Sequence, residues 1–345
     1  MIVINMFSSA NKVAGQGVGA VYTELMGLLK HDFSNEFEVN VNRYTRSDIS
    51  HYHTIDPKFY LSTFSKKRGR KIGFVHFVPS TLDASLKLPR VARWTLDKYT
   101  LAFYKRMDQL VVVNPNFIPK LEAYGISRDK VTYIPNFVSQ RTFHPVSTEK
   151  RQALRHANGF KPDDFVIFGA GQVQDRKGVS DFIKLAKQNP EFRFVWAGGF
   201  SFGRITEGYD HLKKAVAEAP ANLDFTGIMP RETMIDYYNM ADVFLLPSYE
   251  ELFPMSVLEA FATGTPVMVR DLELYHQIIT PYAITAVDVD DMQSRLRALA
   301  DDHDLLVTYA TKSRQAAEVY DESRLEKVWH DFYLHQEIGR ASCRE

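Results

Sequence analysis

Short β-branched and aromatic runs alternate with longer stretches of 3.6-residue periodicity along nearly the whole chain, the pattern of parallel strands and the helices that cover them. In the first part, IVINM (2–6), EFEVNVN (36–42), KIGFVHFV (71–78), QLVVV (109–113) and VTYIP (131–135) predict strands, and residues 18–30, 89–107 and 115–124 predict helices. From His144 to Pro162 the chain turns polar and strand-free, as for a linker and a short helix. A second series then begins with DFVIFGAG, FRFVWAGG, NLDFTG, DVFLLPS and TPVMVR, each leading into a helical stretch. There is no repeat of solenoid period. The pattern predicts an α/β protein of two doubly wound, Rossmann-like domains facing each other across a cleft, over 1–145 and 146–321. A helix over 322–337 is expected to pack back on the first domain. At IGRASCRE (338–345) the periodicity stops, and this tail is read as foreign to the native protein and set apart from the fold.

Composition changes this picture in two places. The 345 residues suit two domains, and 45% hydrophobic residues suffice for two cores. No apolar run has membrane-spanning length, and MIVINMFSSA has no signal-peptide pattern, so it reads as a first strand. The single cysteine, Cys343, lies in the tail, which excludes an intrachain disulfide and suits a reducing, cytoplasmic setting. The net charge of zero hides an asymmetry. Residues 1–145 carry 20 Lys and Arg against 11 Asp and Glu, and the rest carries 22 against 31. A basic first half points to an acidic partner such as phosphate, nucleic acid or an anionic membrane.

The densest chemistry lies in SYEELFPMSVLEAFATGTPVMVRD (248–271). Ser256 is placed to cap a helix through Ala262, which Gly264 ends. Glu251 falls on the loop after a strand, at the sheet edge where α/β domains bind ligands. The N–H groups of Met255 and Ser256 open a helix, an anion site, and Glu259 one turn inside could accept both hydroxyls of a ribose. In GAGQVQDRKGVSDF (169–182) a strand enters a glycine turn, followed by Arg176, Lys177 and a helix from about Gly178. Two cations beside a helix N-terminus make a diphosphate cradle, although two exposed turn residues would look the same.

Together these segments resemble the signature of glycosyltransferase family 4, retaining enzymes of the GT-B fold that use nucleotide-activated sugars. The resemblance also runs through VAGQGVGA (13–20), FVHF (74–77), VVVNPNF…KLEAYGI…KVTYIPN (111–136), NMADVFLLPS (239–248) and the two glutamates eight apart. It implies that Glu251 contacts the donor sugar hydroxyls and that backbone N–H groups from Phe253 to Ser256, across Pro254 and Met255, hold the sugar and distal phosphate. Glu259 would bind the ribose, Lys177 the departing diphosphate, and TGIM (226–229), with Ile228, the base. Gly17 would let the backbone approach the phosphates, and His76 would lie by the reacting sugar. Two positions depart from the family. Gln172 stands where an arginine is common, a role Arg176 could take over, and Leu252-Phe253-Pro254 replaces Gly-Phe-Gly, removing one N–H donor.

Other readings are weaker. His76 on a buried strand could be a core histidine. His51 and His53 have metal-ligand spacing but no apparent third ligand, and Asp288-Val289-Asp290 opens a late helix, where acids favour the dipole. No cofactor and no essential metal are expected. A phosphorylase or epimerase of the same fold, or an inert partner subunit, would share the cleft, but Glu251, Glu259 and Lys177 together favour catalysis.

The acceptor is read from residues 87–107. A helix from Pro89 would put Arg90, Arg93, Trp94, Lys98, Leu101, Tyr104 and Lys105 on one face, and Val91, Ala92, Leu96, Ala102 and Phe103 towards the sheet. The run Lys66, Lys67, Arg68, Gly69, Arg70, Lys71 adds cations nearby. Basic residues interleaved with aromatics suit an anionic bilayer, and a solvated face is the alternative. The chain is similar, within the family, to Gram-positive glycolipid synthases that extend a glucosyl-diacylglycerol to make the lipoteichoic acid anchor. The expected partners are thus a UDP-hexose carrying glucose or galactose, a glycolipid and an anionic membrane, with no nucleic acid, and the protein is expected on the inner face of the cell membrane. A polyprenyl-linked or soluble saccharide is the rival acceptor.

Overall fold

A computed structural model describes residues 1–10, 17–79, 89–201, 203, 206 and 208–342, with side chains through residue 338. Two compact units result. One is built from the chain up to Phe137 and again from Glu322; the other takes Val138–Asp321.

The first unit carries six parallel strands, β1 (Ile2–Phe7), β2 (Phe37–Val41), β3 (Ile49–Tyr52), β4 (Arg70–Val75), β5 (Gln109–Val112) and β6 (Val131–Tyr133), in the order β2-β1-β3-β4-β5-β6. The second carries β7 (Val166–Ala170), β8 (Arg193–Ala197), β9 (Leu223–Gly227), β10 (Val243–Leu246), β11 (Val267–Arg270) and β12 (Ile284–Ala286), in the order β12-β11-β10-β7-β8-β9. Both sheets are doubly wound, and in the second the chain reverses direction between β7 and β10. The carboxyl ends of those two strands mark the switch point at which such sheets hold ligands.

Helical periodicity explains the packing. The helix Val179–Gln188 buries Val179, Phe182, Ile183, Leu185 and Ala186, one apolar stripe facing the sheet. Phe182 meets Trp196 at 5.0 Å and Phe194 at 5.4 Å between ring centroids, both edge to face. Truncating Phe182 to Ala would cost about 3–5 kcal/mol in such a core. Asp288 accepts a hydrogen bond from the Asp291 N–H and so caps the helix Val289–Asp301.

Four expectations are corrected. The units part at Phe137 and not at 145, because Val138 bridges to Asp321 and the Asn239 amide holds both His144 and Val146. The last helix, Glu322–Ser342, runs on through residues expected to be irregular; the lone Gly339 costs only about 1 kcal/mol and no proline stops it. Cys343 lies outside the described residues. Strand β12 goes unpredicted, while the strand-like stretch that holds His51 is β3, between β1 and β4 in the sheet. On the helix Arg90–Lys105, Val91 and Ala92 are exposed while Tyr104 is buried, its hydroxyl donating to the Phe77 carbonyl at 2.8 Å. In the first turns of this helix Val91, Ala92, Trp94 and Thr95 are exposed and Arg93 and Leu96 half-buried, so a wheel with one inner face describes only its later turns.

Candidate active site

The site of the second unit is assembled from two loops pressed together. After β7 the chain makes a 3-10 turn, Asp175–Lys177, and enters the helix Val179–Gln188 through Gly178 at φ 68°. A side chain on Gly178 would meet the Pro247 carbonyl oxygen at 2.3 Å, so only glycine permits this approach to the loop after β10. The Tyr249 N–H donates to the Arg176 carbonyl at 2.8 Å, and the Arg176 guanidinium donates to the Glu250 carbonyl at 3.3 Å.

This approach joins Lys177 to Glu251, 74 residues apart, in a buried ion pair, and the Ser248 hydroxyl donates to the same carboxylate at 2.8 Å. Burial alone would raise the Glu251 carboxyl; Lys177, Arg176 and Ser248 together overcome it and hold the group below its ordinary value. Burial draws the Lys177 ammonium down, Glu251 pushes back and Arg176 adds to the fall. Arg270 supports the loops from beneath. It donates to the Pro247 carbonyl at 3.2 Å and pairs with Asp181 at 2.5 Å, and Asp181 also accepts from the Tyr249 hydroxyl at 2.6 Å.

The helix Met255–Ala262 starts from Pro254, and Ser256 lies inside its first turn, so the expected cap at Ser256 is corrected. Glu259 is buried, accepting from Arg231 Nε at 2.7 Å and from the Tyr238 hydroxyl at 2.8 Å. Burial raises the Tyr238 phenol well above its ordinary value, Glu259 adds to this, and Tyr238 therefore remains a donor. Arg231 and Tyr238 were not foreseen, although their spacing of seven on the helix Arg231–Met240 puts both on one face. A carboxylate offers about four lone-pair positions, which leaves Glu259 able to accept a diol while held by both donors. Farther along the edge, Ile228 is 45% exposed after the turn at Gly227 (φ 73°) and faces Gly199; Gln172 and Phe253 are buried.

In the first unit His76 follows β4 and is buried against Phe74, the rings 4.5 Å apart at 12°. The third imidazole missing from the sequence reading of His51 and His53 is His76 itself, with His51–His53 centroids at 4.5 Å and His53–His76 at 5.8 Å. The imidazoles are tilted by 40–42° to one another, however, and each stacks on Phe74; no group of His, Cys, Asp and Glu among the described residues could hold a metal. Burial pushes His51 and His76 down to about 3, and His53 well below its ordinary value. Gly17 opens the helix Gly17–His31 with a φ outside the left-handed region, and no described residue lies within 4 Å of where its side chain would start; residues 13–16 of its loop lie outside the described residues.

The basic run divides. Lys66 and Lys67 are exposed. Arg68 is buried, donating to the carbonyls of Arg43, Tyr44 and Thr45 over the Phe7 ring, and is corrected from a surface to an interior role. Arg70 donates to Gln336 at 2.9 Å and Lys71 pairs with Asp108 at 3.0 Å. Arg90, Trp94, Lys98 and Lys105 are exposed and Arg93 half-buried. No helix among the described residues is long and apolar enough to cross a membrane.

Known proteins place this geometry. Residues 150–316 match the family profile described as glycosyl transferases group 1. Over 339 residues, 98% of this chain and 91% of its relative, the sequence is 46% identical to alpha-galactosylglucosyldiacylglycerol synthase of Streptococcus pneumoniae strain ATCC BAA-255 / R6. The chain is a family 4 glycosyltransferase. This transferase is also 27% identical, over 50% of its length and 53% of the relative's, to the processive diacylglycerol alpha-glucosyltransferase of Acholeplasma laidlawii. Its fold matches solved structures of GT-B glycosyltransferases. Sucrose-phosphate synthase from Thermosynechococcus elongatus superposes with a TM-score of 0.79 at 14% identity, covering 97% of this chain and 99% of that one. Anabaena Alr3699/HepE, solved in complex with UDP-glucose, gives 0.79 at 13% identity, covering 97% and 100%. The predicted α/β class of two Rossmann-like units holds.

Proposed function

We propose that this glycosyltransferase moves glucose or galactose, with retention, from a UDP-hexose to a membrane glycolipid such as glucosyl-diacylglycerol. The acceptor reading is carried by the 46% identity over nearly the whole chain to a synthase named for such a product. The donor reading is carried by Lys177 and Glu251, joined at the switch point of the second sheet, with Glu259 held ready nearby.

In this reading Glu259 accepts the ribose hydroxyls, Ile228 covers the base, and backbone groups from Phe253 to Ser256 hold the sugar and distal phosphate. As the bond from the anomeric carbon to the diphosphate breaks, charge grows on the leaving oxygens. Lys177 turns from Glu251 to meet it, Arg176 assists in place of the arginine absent at Gln172, and the helix dipole at Met255 adds to both. Glu251, released, receives the sugar hydroxyls. The family resemblance assigns the reacting sugar to His76 and the phosphates to Gly17, and no metal is required. The exposed cations Lys66, Lys67, Arg90, Lys98 and Lys105, with Trp94, hold the enzyme to the inner face of an anionic membrane. The test is incubation with UDP-glucose and UDP-galactose against glucosyl-diacylglycerol in anionic vesicles and against soluble saccharides, with product analysis. Transfer to the soluble acceptors alone would refute the glycolipid reading.

A further inference from the structure

The segment Pro57–Lys67 presents two large apolar side chains to solvent where the fold gives them no reason to be there. Its helix, Pro57–Ser62, buries Phe59 completely but leaves Leu61 69% exposed, and Phe64 beyond it is 58% exposed. Single exposed apolar residues are ordinary. This pair differs in three respects.

First, it is fastened. Arg106 donates to Thr63 through its side chain at 2.6 Å and to the Thr63 carbonyl at 3.1 Å, and its guanidinium lies 3.6 Å from the Phe64 ring centroid. Tyr60 packs edge-on against Phe64 at 5.5 Å and against Tyr99 at 5.4 Å. Phe64 is thus held outward by contacts on one side of its ring, and little conformational freedom remains to be lost when its other side is covered. Second, the pair is rimmed by exposed Lys58, Lys66 and Lys67, and no Asp or Glu occurs from residue 57 through residue 82. Third, through Tyr60 it abuts the later turns of the helix Arg90–Lys105, which carries exposed Trp94, Lys98 and Lys105.

We infer that Leu61 and Phe64 form an insertion anchor that enters the acyl boundary of an anionic bilayer while Lys58, Lys66 and Lys67 meet the headgroup phosphates. The inference rests on the membrane reading above and adds to it a component that salt does not screen. Electrostatic attachment alone weakens as ionic strength rises, whereas apolar side chains in the interface do not depend on it. The rim selects an anionic lipid surface over a second copy of the chain, whose matching patch would bring like charges together.

The experiment is co-sedimentation of the full chain with phosphatidylglycerol-rich vesicles, in low and high salt, comparing wild type with Leu61→Ser/Phe64→Ser. The double variant should partition at least about tenfold more weakly at both salt levels, as two lost apolar burials require, while circular dichroism and a cooperative thermal transition like the wild type's report an intact fold and calorimetry with UDP an intact donor site. In a second arm, Phe64→Trp in a Trp94→Phe background should give a blue-shifted emission on vesicle addition and quenching by lipids brominated near the headgroup end of the acyl chain. Equal partition of wild type and double variant, or an introduced indole that vesicles neither shift nor quench, overturns the anchor and leaves electrostatic attachment standing. Wild type that binds no vesicle at all brings down the membrane reading itself. A wild-type dimer that the double variant dissociates would assign the patch to self-association and also overturn the anchor.

Discussion

The two units share a parallel six-stranded sheet and its covering helices, yet they handle charge in opposite ways. In the second unit the cations turn inward: Lys177 to Glu251, Arg231 to Glu259, Arg270 to Asp181. In the first, the polar centre is a stack of neutral rings, His51, His53 and His76 between Phe74, Tyr333 and Trp329, and many of its cations stand on the surface. Neither ring nitrogen of His53 finds a hydrogen-bond partner among the described residues. Buried ion pairs add little stability by themselves, since desolvation offsets their attraction. Charge buried at a sheet's carboxyl edge is better understood as a site prepared for a charged ligand, and in the function proposed above the charge left outside meets an anionic membrane. On that proposal, one architecture would serve two purposes through the direction its cations face.

The sharpest way to break the comparison is Lys177→Ala. Turnover at saturating donor should fall by roughly 10²–10³, as for other preorganised charge stabilisers. Steady-state kinetics on protein shown to be folded by its thermal transition decides it, and a change of only a few-fold would mean the inward charge is structural.

A second break concerns pH. His51 and His76 titrate near 3 in the folded chain, pushed down by burial and, for His51, also by His76. Between about 3 and 6.5 the unfolded chain binds protons that the folded chain does not, so the stabilising contribution is complete above 6.5 and is lost as pH falls. Near pH 4.5 each of the two should cost about 2–3 kcal/mol. A melting curve followed against pH should show the loss, and His51→Gln should flatten it. An unchanged slope would mean that the stack takes up protons without penalty.

Glu259→Ala should weaken UDP binding by about 1–3 kcal/mol in calorimetry, the range for a lost charge-assisted hydrogen bond. Unaltered affinity in the folded variant would move ribose recognition elsewhere. The smallest effects sharpen the outer half of the comparison. Lys66→Ser and Lys67→Ser should each lower vesicle affinity by about 1 kcal/mol in low salt. Arg68→Ser, by contrast, should lower the melting temperature and leave the vesicle affinity of folded protein alone, because its guanidinium serves carbonyls inside the unit.

Most strands were legible because Val, Ile and Phe runs such as VIFGA and VFLL declare buried parallel strands. The segment ISHY reads as strand-like and is β3, but its burial was not legible: Ser50 and His51 are buried, and the partner of His51 is Tyr333, 282 residues away. That Lys177, Glu251 and Glu259 sit on the turn, loop and helix that follow strands was legible from the glycines and apolar runs around them, although the cap expected at Ser256 is absent. Their neighbours were not: Arg231 and Tyr238 gain their meaning only when another helix brings Glu259 between them. Arg68 misled because a run of cations carries no mark of which one a glycine turn will point inward.

The return of the last helix to the first unit has a consequence for synthesis. His51 hydrogen-bonds Tyr333 at 2.7 Å and Arg70 hydrogen-bonds Gln336 at 2.9 Å, so the first unit reaches its complete set of contacts only when the final helix has emerged. The described residues of the second unit form one continuous stretch, Val138–Asp321, which needs nothing made later. Domains ordinarily mature on the ribosome from the N-terminus onward. In this chain the part translated first should be the last to be finished, and a nascent chain halted just short of Glu322 would carry a completed donor half beside an N-terminal half still awaiting its closing helix.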